Sequence, residues 1–192
     1  MTCAFDGSEY NKYSGIQNLP YKIISHLIQN NEDIWKLIKY TTPDALDLPN
    51  LTTEEKGSLI WNGEVNSQDF RVFMQPATDD SFTEMMCQFR IYPLNIHPTN
   101  RIVGTVDIAI ELYVSSKINQ LNNYSTRASN LLQQLIGSLN GIDVDTLGKL
   151  YFSKQGSVYD ESRTMIYNSK NTFGYILVLS VNMGNNTNES IM

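Results

Sequence analysis

The stretch Arg101-Ile-Val-Gly-Thr-Val-Asp-Ile-Ala-Ile-Glu-Leu-Tyr113, followed by Ala128-Ser-Asn-Leu-Leu-Gln-Gln-Leu-Ile-Gly-Ser-Leu139, decides the fold. Val106, Ile108, Ile110 and Leu112 alternate with Thr105, Asp107, Glu111 and Tyr113, the period of a strand buried on one face. After a short polar connection, Ala128, Leu131, Leu132, Leu135, Ile136 and Leu139 recur at helical spacing, and Gly141 stands as a natural stop. A one-faced strand feeding a one-faced helix predicts an α+β layer, with the helix covering one side of an antiparallel sheet. Neither element carries a built-in active site.

Working outward toward the N-terminus, Pro20 suits the first turn of a helix. Ile24, Leu27 and Ile28 make one apolar stripe; Ile34, Leu37 and Ile38, with Trp35 beside them, make another. Asn30-Asn-Glu-Asp33 separates the two, with Asn31 placed to cap a second helix whose first turn carries two acids. Pro43 ends that helix. Thr52 and Glu55 stand at capping-box spacing and start a short third helix reaching about Trp61.

The period then changes. Phe70, Val72 and Met74 predict a first strand ended by Pro76, and Met85, Cys87, Phe89 and Ile91 predict a second. Pro93 to Pro98 reads as a turn into the Thr105–Tyr113 strand. Beyond the main helix, strands are expected near Gly148–Ser153 and Gly174–Met183. The last is apolar on both faces and therefore central. Lys154 to Asn171 reads as a long polar loop. The expected architecture is α+β: a mainly antiparallel sheet of about five strands under one long amphipathic helix, with N-terminal helices, in the order α-α-α-β-β-β-α-β-β. Residues 1–19 are expected to be a flexible arm, 20–183 a single domain, and 184–192 a disordered tail.

Composition narrows the classes. The chain has 192 residues, enough for one domain with a real core and too few for two comfortable ones. A net charge of −6 and the absence of a long Lys/Arg run argue against a groove that grips nucleic-acid phosphates. Cys3 and Cys87 are the only cysteines, one in the arm and one in a strand pattern, so no disulfide is expected. No segment reaches the ~18 apolar residues of a membrane span, and residues 1–19 lack the layout of a signal peptide. A cytosolic setting is expected.

Chemistry-bearing motifs are sparse. His26 and His97, the only histidines, have no Cys or carboxylate pair at ligand spacing, so no metal site is expected. Gly137-Ser138 lies in a helix rather than on a strand-to-helix elbow, and both phosphate-loop patterns are missing. Glu54-Glu55, Asp79-Asp80 and Asp160-Glu161 read as caps or solvated turns. Neither enzymatic activity nor a cofactor is expected. Aromatics are the anomaly: Tyr10, Tyr13, Tyr151, Tyr159 and Tyr167 lie in or beside polar segments, where tyrosine serves contacts or packs down a loop. Tyr10, Tyr13, Phe82, Tyr159, Arg163, Met165 and Tyr167 are the candidate subunit or partner interface.

The run Asn31-Glu-Asp-Ile-Trp-Lys-Leu-Ile-Lys-Tyr-Thr-Thr-Pro-Asp-Ala-Leu46, then Leu51-Thr-Thr-Glu-Glu-Lys56, then Phe70-Arg-Val-Phe-Met-Gln-Pro76, resembles neck proteins of tailed bacteriophages. Gln88-Phe-Arg-Ile-Tyr-Pro93 and Gly174-Tyr-Ile-Leu-Val-Leu179 fit the same likeness, and the element order is similar to the tail-terminator or tail-completion family over about residues 21–183. The capped helix after Thr52 and the Lys154–Asn171 segment depart from that pattern and leave the neck position open. The resemblance implies a non-enzymatic virion protein forming a homo-oligomeric ring at the head–tail junction, a hexamer before a dodecamer. It would join connector or portal-side neck proteins to the tail tube and line a channel that DNA passes without specific binding. It implies assembly in the host cytoplasm and no membrane contact. A head–tail adaptor, stopper or short-tail ring protein is the alternative within the neck; a small soluble binding module is the alternative outside it.

Overall fold

The computed structural model describes residues 15–63, 70–76, 86–98, 104–143, 149–152, 163–168 and 171–183. A 3-10 turn at Ile16–Asn18 leads into α1 (Leu19–Asn30), which is followed by α2 (Glu32–Lys39) and α3 (Thr53–Ser58). Helical structure thus reaches back ahead of the expected boundary at Leu19, which is itself fully buried. Asn31 accepts from the Ile34 N–H at 3.0 Å, capping α2, while its amide donates to Gln134 and Ser138 on a distant helix. An eight-residue helix is too short to persist alone. Burial of Ile34, Trp35, Leu37 and Ile38 holds it, with Glu32 and Asp33 at the positive end of its dipole. The capping box of α3 closes reciprocally between Thr52 and Glu55, and the helix ends at Ser58, short of the expected Trp61.

The sheet comprises β1 (Val72–Phe73), β2 (Cys87–Pro98), β3 (Gly104–Ser115), β4 (Leu150–Phe152), β5 (Arg163–Asn168) and β6 (Thr172–Met183). Its order is β1-β2-β3-β6-β4, with β5 also on β6, and only the β1–β2 pair is parallel. Because β3 lines one edge of β6 along its whole length, β4 and β5 share the other edge end to end. The last strand is central, as expected from its two apolar faces. Between β3 and β4 runs α4 (Arg127–Leu139), capped by Thr126 and released at Gly141 with φ +75°.

Four expectations need correction. A strand, β5, crosses the segment expected to be a loop; its residues lack a clean apolar period and are recruited by pairing with β6. Pro93–Pro98 is strand, not turn. Phe89 sends its N–H away from β3 to the Arg71 carbonyl, and Pro93 falls on the same alternation, so the proline replaces an outward N–H and costs no bond to β3. A bulge at Leu94 then resets the register. The cover is not one long helix: α4 has 13 residues, α1 has 12, and α1 and α2 pack on β2 while α4 packs on β3 and β6. Lastly, β3 is buried on both faces rather than one.

One core lies between sheet and helices. Phe89, Ile91, Val106, Ile108, Ile110, Leu112, Leu177 and Leu179 meet Ile23, Leu27, Leu37, Ile38, Leu131 and Leu135. Two positions fix how closely its parts approach. A Cβ on Gly174 would lie 1.5 Å from the Leu112 carbonyl oxygen, so only glycine lets β6 lie against β3 there. Arg127 is wholly buried and donates to the carbonyls of Ile118 (3.0 Å), Leu37 (2.5 Å) and Thr42 (2.9 Å).

Gly174→Ala is expected to lose about 3 kcal/mol or more through overpacking, read as a lower urea midpoint or failure to recover folded protein. Arg127→Lys keeps the charge but cannot span three carbonyls, and the acceptors left dry should cost roughly 2–3 kcal/mol, read in the same titration. An unchanged midpoint for either variant would contradict the packing described.

Candidate functional site

The face of the sheet turned away from the helices carries the polar half of each strand's alternation. Gln88 and Arg90 on β2 and Glu111 and Tyr113 on β3 are buried there, with Tyr92 half-buried. The register sets Arg90 opposite Glu111 and Gln88 opposite Tyr113. Arg90 donates from Nε and Nη2 to Gln88 Oε1 at 3.3 and 3.2 Å, and from Nη1 to the Pro76 carbonyl at 2.9 Å. Its guanidinium lies 4.3 Å from the Phe73 ring centroid. The chain from β1 to Pro76 is thereby strapped over the polar face.

Glu111 is the acceptor at the centre. Tyr92 donates to its Oε1 at 2.6 Å and Tyr113 to its Oε2 at 3.2 Å. Burial, and then the Glu111 carboxylate, push both phenols well above the usual tyrosine range. Burial also lowers Arg90, an effect that Glu111 opposes. The phenols are therefore held protonated as donors to Glu111, an arrangement that clamps the strands together rather than moving a proton.

Nearer the β2–β3 hairpin end, Asp107 is almost fully buried and bridges strands. His97 Nε2 lies 2.9 Å from Asp107 Oδ2, and Ser180 Oγ donates to Asp107 Oδ1 at 2.5 Å. The carboxylate sits in the middle. Ser180 is turned to Asp107 and not to an imidazole nitrogen, so its hydroxyl is not activated as a nucleophile by this geometry. His26, on α1, contacts the Asn30 amide. Among the described residues, no group of three or more His, Cys, Asp or Glu could hold a metal ion, and no helix is long and apolar enough to cross a membrane. Cys87 is buried on the core side, and burial pushes its thiol up to about 12.

Of the expected interface, Tyr10, Tyr13, Phe82 and Tyr159 lie outside the described residues. Arg163, Met165 and Tyr167 are placed on β5, at register positions opposite Leu177, Tyr175 and Phe173 of β6. Tyr151, noted for its polar neighbours, is exposed on β4. Reading the residues missed other exposed apolar groups: Tyr124 is 96% exposed, Ile96 52% and Leu94 45%. Tyr124 had a visible signal, an aromatic inside the polar run Asn122-Asn-Tyr-Ser125. Leu94 and Ile96 had none once Pro93–Pro98 was read as a turn.

The buried phenols give an alkaline limb to stability. Their folded-state pKa lies above the unfolded value of about 10, so their contribution is complete below pH 10. Above it the unfolded chain sheds protons that the folded one keeps, and stability falls as pH rises. The double variant Tyr92→Phe/Tyr113→Phe should start less stable at neutral pH and decline more shallowly between pH 10 and 12 in thermal melts. An equally steep decline would show that the two phenols are not held as described.

No curated protein and no solved structure matches the chain. A family does match, over residues 31–181, from the cap of α2 to the central strand, well over half of the chain. That span takes in β1 to β5 whole and β6 as far as Val181. The chain belongs to the YomW family, a family of Bacillus phage-region proteins, and is phage-derived.

Proposed function

We propose that the chain is a structural component of a phage neck, forming a homo-oligomeric ring at the head–tail junction in the tail-terminator or tail-completion position. The observation that carries this reading is that β3, at the centre of a phage-derived α+β domain, is closed on both faces, by helices and core on one and by a satisfied polar network on the other. Neighbours must then be met at edges, strand ends and loops. A ring needs such a body: a rigid plate with two different contact regions, repeated head to tail until it closes. Membership of a phage family supports the virion setting. The net charge of −6 suits a channel wall along which DNA slides without sticking, since basic walls would bind its phosphates. Connector or portal-side proteins would sit on one side of the ring and the tail tube on the other.

Deleting the reading frame from the phage genome that encodes it should leave DNA-filled heads and tails that fail to join, seen by electron microscopy of lysates and cured by supplying the chain in trans. Heads that lose their DNA would place the ring on the connector side, as a stopper. Normal yields of infectious particles without the chain, or its absence from purified virions, would overturn the proposal.

A further inference from the structure

Gly15 and Ile16 bring the chain into the helical layer at one corner of the sheet. A Cβ on Gly15 would lie 3.7 Å from Met183 Cε, and Ile16 packs on the core. Met183 ends β6 and pairs with Gly104, which pairs in turn with Pro98. The residues ahead of Gly15 therefore join the domain at the hairpin end of β2 and β3. At this same corner the core face is incompletely covered. Ile96 pairs with the buried Val106, so it shares a face with Val106, Val181 and Met183. Unlike those three it is exposed, as is Leu94 two residues before it.

We propose that the segment Tyr10-Asn-Lys-Tyr13 of the same chain folds back over Leu94 and Ile96, as an intramolecular cover for this end of the core. The inference does not depend on the ring reading above. It assigns Tyr10 and Tyr13, expected from the sequence to meet a subunit or partner, to the domain's own surface.

Reach and size select this occupant. Two strand spacings, about 10 Å, separate β6 from β2, and Ile96 lies two residues in from Pro98, about 7 Å at strand rise. The entry point beside Met183 is thus about 12 Å from Ile96. The five residues from Tyr10 to Ser14 span up to about 17 Å when extended, so a tyrosine on this link reaches the site. Tyrosine suits such a rim, because its ring buries apolar area while its hydroxyl stays in water. Two exposed aliphatic side chains offer far less than the ~800 Å² per partner that holds separate proteins together. A tethered segment needs no such area. Its link sets an effective concentration on the order of millimolar, and it loses no translational freedom on contact.

Lys12 supplies the readout, being the sole trypsin site in residues 1–19. The test is native trypsin digestion of the full chain, with the cut after Lys12 followed by mass spectrometry against a synthetic peptide of residues 1–19. Lys22, on α1, reports any general unfolding. A docked segment is cut only when it lifts off, so the full chain is expected to be cut after Lys12 at least about tenfold more slowly than the peptide. Dilution should leave that rate unchanged, because the contact lies within one chain. Ile96→Ser, and separately Tyr10→Ser/Tyr13→Ser, should each restore cleavage at the rate of the matching peptide while Lys22 stays uncut. The tyrosine variant alters no residue of the described domain, so it decides the matter even if Ile96→Ser fails to fold. Cleavage of the full chain as fast as the peptide overturns the proposal, as does protection that survives either folded variant. Protection that grows with protein concentration also overturns it, by placing another copy's segment on the site. None of these outcomes touches the ring reading, which the gene deletion tests.

Discussion

The rest of the domain depends on how one buried cation is satisfied. Arg127 opens α4, at the end of a helix where a positive charge is disfavoured by the dipole. Its guanidinium reaches away from that dipole to three carbonyls: Leu37 in the last turn of α2, Thr42 in the loop beyond, and Ile118 in the turn that leaves β3. The Leu37 carbonyl is one that α2 leaves without an intrahelical partner, and it lies at the negative end of that helix. A dry cation and dry acceptors are each costly alone and tolerable together. The same fork therefore fixes α2, α4 and the exit of β3 at once. The loop carrying Tyr124 hangs between two of its anchors, which is why so exposed a loop is so well tied.

The second constraint is on the opposite face of the sheet. Polar residues alternating with apolar ones ordinarily announce a solvated face, yet here Gln88, Arg90 and Glu111 are buried, and the strap from Phe73 to Pro76 lies against Arg90. The cover is stable because the donors match the acceptors. Arg90 gives its protons to an amide oxygen and a backbone carbonyl, and Glu111 receives two phenols. Removing any one member would leave a buried group short of a partner.

What could be read from the chain was what is decided within a few residues. The Asn31 cap, the Thr52–Glu55 box, the period of β3 and the stripe of α4 each depend on neighbours along the chain, and each was legible. Arg127 was not: its carbonyl partners Leu37 and Thr42 lie 90 and 85 residues away, and nothing local marks an arginine at a helix start as buried. Arg90 is illegible for the same reason, since its cover, Phe73 and the Pro76 carbonyl, comes from another segment. Pro93 was misread because its meaning depends on which edge of β2 faces β3. Of the candidate contact residues, Tyr124 could have been noticed as an aromatic amid asparagines, but its exposure follows from the bracing of its loop, which is a tertiary fact.

These constraints together decide how such a domain can meet a neighbour. Both faces of β3 are closed, so stacking on the sheet would mean dismantling a core or a satisfied polar network. Strand addition at β2 meets two prolines and a bulge, the features by which natural edges refuse a further strand. What remains, among the described residues, is the outer edge of β4 and β5, the strand ends and the braced loops. On the polar face of β3, Asp107 adds a further tie, to β2 through His97 and to β6 through Ser180. The group that looks like a fragment of catalytic machinery thus joins three neighbouring strands near the hairpin end of the sheet, where β2 has lost its regular register.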